Sequence, residues 1–423
     1  MGNKIQSLLL CSFLLAAYFS IETLLAQIPI PDIDRPILKK VSIVIPELRP
    51  SHGSYKDSRA REFIEVVRGD LRNSGLFEVL TDGFTGSRVD IDRLFDAGID
   101  ASLDGEYKSM KDRVLVSVKL ISISQEKMLL GRSYEASPGR IREAAHRFSN
   151  LVIKELTGID GFFTSKIVFV SGRSPKRDLY IMDYDGRNRH RLTSHASLLL
   201  SPHCNSNGTR VVFNSDKVWD QDIYVLNLVP TVSEKRLTRA LRLEQSPEWS
   251  PDGTKIAFSA NSNIYVANAD GTNPRKLTRS SAIDVSPTWS PDGRRIAFAS
   301  DRAGSPKIYV MNSDGSGLKL LTFREYNTDP AWSPNPEVNK IAFVRLEGSE
   351  VNIFTINPDG TGLQRLTQGV GRNENPAWSP DGHYIAFSST RKGSKDIYSM
   401  YLNGANQVPL STGGAKSFPT WCK

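Results

Sequence analysis

Short apolar runs return along the second half of the chain at a fixed distance and in a fixed order. "IAF" occurs at 256–258, 296–298, 341–343 and 385–387. After each comes "NIYV" (263–266), "KIYV" (307–310), "NIFT" (352–355) or "DIYS" (396–399), and then "KLT", "LLT", "RLT" or "PLS". Runs this short, rich in β-branched and aromatic residues, predict strands rather than helices. They are apolar without alternation, so both faces of each strand are covered. Before each "IAF" stands a tryptophan and a turn, as in "SPTWSPDGRRIAFAS" (286–300). Proline presets the first turn dihedral, aspartate bonds back to the backbone, and glycine takes the positive φ. The "ADG", "SDG" and "PDG" segments make the next hairpin in the same way.

Tryptophans 249, 289, 332, 378 and 421 are 40 to 46 residues apart. Four short strands at that period predict a β-propeller blade, with the indole filling the wedge between blades. A weaker copy, "SPHCNSNGTRVVFNS" (201–215), has Cys204 where tryptophan is expected. First-strand segments end at 204, 249, 289, 332, 378 and 421, which makes six. The last, "SFPTW", has no remainder after it, and "KIVFVSGRSPKRDLYIMDYDGRNRHRLT" (166–193) has no first strand before it. The two complete each other, so residues 161–423 are expected to form a six-bladed propeller closed by a composite last blade.

Residues 27–160 lack the repeat and read as a mixed α/β N-terminal domain. Strands are expected at 39–48, at "FEVL", at "IDASLDGEYKS" and in a hairpin of "RVLVSVKLISI" with "KMLLGRSYEA". Residues 59–73 place Ala60, Phe63, Ile64, Val67 and Leu71 on one helical face. "DIDRLFDAG" predicts a short helix, and about 139–156 a last one that turns Ile141, Ala144, Ala145, Phe148, Val152 and Leu156 inward. The fold class is thus an α+β domain followed by an all-β propeller. Residues 1–26 carry Lys4, an apolar stretch from Leu8 to Phe19 and a small residue, Ala26, and read as a cleaved export signal. No other long apolar segment follows, so the exported chain is expected to be at most peripheral to a membrane.

Charge changes the picture a little. Residues 27–160 hold 21 Lys and Arg against 21 Asp and Glu, and 161–423 hold 32 against 24. The basic residues are spread over turns, which suits a solvated outer face and argues against nucleic acid. Two cysteines, Cys204 and Cys422, remain after cleavage. They are not a disulfide framework, and two free thiols are expected, with Cys204 a small buried filler. There is no G-x-S-x-G elbow, and the six histidines show no zinc spacing, so neither a nucleophile nor a metal or other cofactor is expected. "DYDG" (183–186) reads as a hairpin turn rather than a calcium loop.

A propeller usually binds at one end of its channel, through the loops that lead into the innermost strands. Five residues before each closing aromatic position lie Leu199, Glu244, Asp284, Asn327, Asn373 and Lys416, with Gln245, Val285, Thr328, Glu374 and Ser417 beside them. This rim is the expected partner contact. A binding scaffold is favoured over the alternatives, an accessory propeller of a hydrolase or a carbohydrate- or small-molecule-binding propeller, because no catalytic set converges. A monomer is expected.

The order of signal, small α/β domain and "WSPDG" propeller resembles the TolB family. "DLRNSGLF" (70–77), "LTGIDGFFTSKIVFVS" (156–171), "LYIMDYDG" (179–186) and "KSFPTW" (416–421) resemble it too. The resemblance covers essentially the whole exported chain. It implies a periplasmic protein of the Tol-Pal system that supports outer-membrane integrity and invagination at cell division. It implies binding of the peptidoglycan-associated lipoprotein Pal through the propeller. It also implies binding of the inner-membrane protein TolA through an N-terminal segment, here Gln27, Ile28, Ile30, Asp32, Asp34 and Arg35. Cys204 and Cys422 stand where the family has Trp and Ser.

Overall fold

The protein is described here by a computed structural model, covering residues 40–423 apart from 52–53, 82–89, 174–175, 195–196, 219, 240 and 370. The expected export signal lies outside the described residues, and among these no helix is long and apolar enough to cross a membrane.

The N-terminal domain contains β1 (Val41–Val44), β2 (Arg49–Pro50), α1 (Ser58–Asn73), β3 (Phe77–Leu80), α2 (Ile91–Asp96), β4 (Ala101–Ser109), β5 (Val114–Ser122), β6 (Lys127–Ala136) and α3 (Ile141–Thr157). Its sheet runs β3-β1-β4-β5-β6, with β2 beside β4. β1 is parallel to β3 and β4, and β4, β5 and β6 form an antiparallel meander. The expected helical faces are buried: Phe63 from α1 and Phe148 from α3 lie 6.1 Å apart, with Tyr134 from β6 5.9 Å from Phe63. Asp57 caps α1 by accepting from the Arg59 amide. Gly158 ends α3 at φ 75, a left-handed cap that turns the chain towards the propeller.

Six four-stranded sheets follow. Their innermost strands are Leu199–Cys204, Gln245–Trp249, Asp284–Trp289, Tyr326–Trp332, Asn373–Trp378 and Lys416–Cys422, which define blades one to six in that order. The sixth blade is the expected composite: Lys416–Cys422 pairs antiparallel with Lys166–Ser171, with Trp421 opposite Ile167. Each blade is pinned by one aromatic pair between its second and third strands. Phe169, Phe213, Phe258, Phe298, Phe343 and Phe387 are fully buried. They lie 5.7–6.0 Å from Tyr180, Tyr224, Tyr265, Tyr309, Phe354 and Tyr398.

The tryptophans fill the wedges, and most also reach across them. The indole N–H of Trp289 donates to Glu248 O (3.3 Å), that of Trp378 to Ala331 O (2.9 Å) and that of Trp421 to Ala377 O (3.1 Å), each on the preceding blade. Trp332 donates instead to Asn339 of its own blade. Between blades six and one this clasp is missing, because Cys204 replaces the tryptophan. Here the expectation of free thiols is corrected: Cys204 and Cys422 form a disulfide, with Cα atoms 5.3 Å apart. Closure of the ring brings inner strands from opposite ends of the propeller side by side, within the range a bridge requires. Ring closure already implies that the two inner strands are neighbours, but the sequence does not give their spacing, which is what decides for the bridge.

The N-terminal domain sits on the end of the propeller where the Ser-Pro-Asp-Gly turns lie, over blades five and six. Phe162 wedges between Tyr384 (4.2 Å), Tyr184 (5.3 Å) and Trp421 (5.5 Å), so one apolar core spans both domains. Asp70 of α1 accepts from Tyr184 Oη (2.5 Å) and lies 2.9 Å from His146 Nδ1 of α3, and Arg142 pairs with Asp185.

Candidate functional site: the propeller channel

The inner strands surround a cavity of about 610 Å³, of the size that holds a ligand or a partner's side chains. Each of the six strands breaks its register with a bulge. Within each bulge one residue takes a left-handed φ: Ser201, Ser246, Ser286, Asp329, Asn375 and Phe418, at 47° to 54°. A proline follows each of them in the sequence. The waist of the channel is therefore six backbone kinks, each carrying one forward-lying side chain.

Below the waist, the residue before the aromatic position does a repeated job in four of the six blades. Its side chain accepts the backbone N–H of the next blade's closing residue. His203 Nδ1 accepts from Trp249 N (3.3 Å), Glu248 Oε1 from Trp289 N (2.8 Å), Thr288 Oγ1 from Trp332 N (3.0 Å) and Thr420 Oγ1 from Cys204 N (3.3 Å). The Thr288 hydroxyl in turn donates to Glu248 (2.9 Å). Burial in the channel wall lowers the His203 pKa to about 4, which leaves Nδ1 free to accept. Burial likewise raises Glu248 to about 8, against the two hydrogen bonds that favour its charge. Asp329 is raised to about 6 by burial and by the nearby charge of Glu374.

The rim positions hold in the chain but not in exposure. Glu244, Asp284, Asn327, Asn373 and Lys416 stand at or beside the first residues of the inner strands and are all buried. Their polar groups are engaged, three within their own blades and those of Glu244 and Lys416 with the preceding blade. Asp284 takes both oxygens to Arg302 (2.8 and 2.9 Å), Asn327 accepts from Arg345 (2.9 Å), and Asn373 accepts from Arg391 (2.9 Å). Those arginines fold back over the aromatic pairs, 4.6 to 5.0 Å from Tyr309 and Phe354 and 4.5 Å from Tyr398. Lys416 pairs with Asp396 (3.0 Å), and Glu244 accepts from Thr238. Leu199 is buried too. Gln245, Val285, Thr328 and Glu374 keep partial exposure, and of these Gln245 lines the cavity. Glu374 is held by Lys395 and Arg372. The N-terminal positions Gln27, Ile28, Ile30, Asp32, Asp34 and Arg35 lie outside the described residues.

Sequence reasoning missed His203, Glu248, Thr288 and Thr420. Their signal was a variable position inside a repeated phrase, the residue between proline and the aromatic. It also missed an exposed apolar crescent on the loops of blades two to four: Leu243, Ile283, Phe323 and Tyr326, 46% to 74% exposed. Among the described residues no group of three or more His, Cys, Asp or Glu is placed to hold a metal.

These features define a two-domain propeller protein: an α/β domain seated on a six-bladed ring that is closed by its own ends around a channel. The chain belongs to the TolB family. Residues 153–337 and 322–423 match the family's "TolB beta propeller domain", and residues 31–129 its "TolB amino-terminal domain". It is 36% identical over 191 residues to the Tol-Pal system protein TolB of Syntrophotalea carbinolica, covering 43% of this chain and 44% of that one. It is 32% identical over 265 residues to the protein of that name from Desulfosudis oleivorans, covering 59% and 60%. The chain thus spans about half the length of the curated relatives it matches. The crystal structure of TolB from Acinetobacter baumannii superposes with a TM-score of 0.79 at 26% identity, over 91% of this chain and 97% of that one.

Proposed function

We propose that the protein is a non-catalytic scaffold of the Tol-Pal system in the periplasm. In this reading the propeller channel and the loops leading into its inner strands receive a Pal-like peptidoglycan-associated lipoprotein. The N-terminal segment Gln27–Arg35 contacts a TolA-like inner-membrane protein, and the complex supports outer-membrane integrity during division. The observation that carries the reading is what the channel does with its ionisable groups. His203 and Glu248 both accept backbone amides of the next blade, so both brace the wall of a binding cavity. Family membership and the exposed crescent of Leu243, Ile283, Phe323 and Tyr326 around the open end support it.

The test is calorimetric titration of the exported chain with the lipid-free Pal domain of the same organism. Binding that weakens when Phe323 and Leu243 are changed to Ser, with unchanged melting, supports the reading. Undiminished binding moves the contact elsewhere. No binding to that domain refutes the partner.

A further inference from the structure

We propose that the channel holds a neutral carbonyl of its partner, a peptide C=O or an Asn or Gln carboxamide, on the backbone amides of Trp378 and Trp421. The inference rests on the channel being the partner site. Six amides stand in equivalent places around it, one per blade. Four are capped by the preceding blade, through His203, Glu248, Thr288 and Thr420. The two remaining positions before the aromatic are Ala331 and Ala377, whose methyl groups accept nothing.

The direction of these amides follows from the strand. The next residue, Ser379, donates outward to Tyr384 O of the second strand (2.9 Å), so alternation turns the Trp378 N–H away from that strand, towards blade four. Trp421 faces blade five in the same way, one register position before Cys422 opposite Lys166. Ala331, Ala377, Trp378 and Trp421 all line the cavity. A cavity-facing amide with no protein acceptor is left to water, and a partner's acceptor can take the water's place there. The chain itself shows which chemistry fits, since it places an imidazole nitrogen, a carboxyl and two hydroxyls at the other four. The two open places are on adjacent blades, next to each other on one side of the wall.

Charge selects the kind of acceptor. Asp329 lies two residues before Ala331 and Glu374 three before Ala377, and the Glu374 charge already acts on Asp329. Lys395 and Arg372 pair with Glu374, yet at Asp329 the Glu374 charge outweighs that of Lys395, so a further carboxylate there meets repulsion and a neutral carbonyl does not. Asn375, whose amide donates to Asp329 (3.2 Å), lines the same part of the cavity.

The experiment uses the full exported chain labelled with ¹⁵N-tryptophan, which reports the six tryptophan amides one by one. In the free protein, hydrogen exchange at Trp378 and Trp421 should outrun that at Trp249, Trp289 and Trp332. Equal protection at all five means the two amides are already satisfied and overturns the inference. On titration with the lipid-free Pal domain, the Trp378 and Trp421 signals should shift most. Binding that leaves them unmoved overturns the inference and spares the proposed function. The variant Ala331→Thr/Ala377→Thr supplies the hydroxyl that Thr288 and Thr420 supply elsewhere, and should weaken Pal-domain binding about tenfold, the worth of one or two hydrogen bonds. Ala331→Val/Ala377→Val adds the same volume without an acceptor and should weaken it much less. Equal losses mean that bulk matters and not the amides, which again overturns it. If the wild-type chain does not bind the Pal domain, the proposed function fails. The inference is then decided by acetamide and acetate: acetamide should move the two signals more than acetate, and any other order refutes it.

Discussion

Removing the covalent seam should cost the ring a large part of its stability. The Cys204–Cys422 bond closes a loop of 218 residues in the unfolded chain. In the chain-entropy relation a loop of that size destabilises the unfolded ensemble by about 5 kcal/mol at 25 °C, and bridges often deliver somewhat less, so about 3–5 kcal/mol is the expected loss. That is a large share of the roughly 5–15 kcal/mol by which such proteins are stable. With an unfolding entropy of about 2.1 cal/mol/K per residue over a ring of roughly 260 residues, the melting temperature should fall by about 5–9 °C. Both cysteines are buried, Cys204 at 5% and Cys422 at 2% exposure, so a reductant acts only after the seam loosens. The double variant Cys204→Ala/Cys422→Ala is therefore the cleaner perturbation. Thermal and urea unfolding followed by tryptophan fluorescence reads it, since the indoles line the wedges that open. Alkylation of the unfolded, unreduced wild type should find no free thiol. A bridged wild type that melts together with the variant would refute the reasoning, because ring closure would then rest on strand pairing alone.

Four further outcomes are expected. Glu248 has a folded-state pKa raised from 4.5 to about 8, so the folded state prefers its proton, and the stability this provides is lost as pH rises through about 8. Glu248→Gln keeps an acceptor for Trp289 N and the Thr288 hydroxyl, so it should melt with the wild type near pH 4. By pH 8.5 it should be the more stable by about 1–2 kcal/mol, less than the full shift implies because water enters the channel. Asp284→Ala strands the Arg302 guanidinium over Tyr309 and should cost roughly 3 kcal/mol in urea unfolding, whereas Gln245→Ala should change stability by less than about 0.5 kcal/mol. Deleting residues 417–423 removes the sixth inner strand and bares the edge of Lys166–Ser171, and the product should aggregate, as light scattering would show. Cys204→Trp/Cys422→Ser returns an indole to the seam and should melt above Cys204→Ala/Cys422→Ala; an equal melt would deny the clasp between blades any energetic weight.

The ring was legible because its physics repeats. A strand covered on both faces needs an apolar run, a tight reversal needs Pro, Asp and Gly, and six copies of the pattern gave blade number and closure together. The helices of the N-terminal domain were legible for the same reason, with α1 and α3 within a residue or two of their expected ends. What failed were statements about exposure. Glu244, Asp284, Asn327 and Asn373 stand at the starts of the inner strands and read as loop residues, yet arginines in or just past the second strands of blades three to five, Arg302, Arg345 and Arg391, fold back and cover three of them. Nothing local in the sequence shows a side chain turning back over an aromatic pair. The disulfide and the amide caps failed to show for a related reason. Both exist only between blades, across chain separations of 218 for the bridge, 216 for the Thr420 cap and 41 to 46 for the other three caps.

The six kinks at the waist have a consequence for how such a channel can change. A left-handed conformation at a residue other than glycine costs about 1–2 kcal/mol, and the neighbouring prolines and strand pairs hold it in place. The backbone thus fixes the bore, and the side chain standing on each kink is a replaceable fitting. The same frame already carries a hydroxyl at Ser201, Ser246 and Ser286, a carboxyl at Asp329, a carboxamide at Asn375 and a phenyl ring at Phe418. Single substitutions at these places rewrite what the channel recognises while the shape around it stays as it was. New partners can therefore be reached by a lineage, or by an engineer, one position at a time, without passing through an unfolded intermediate sequence.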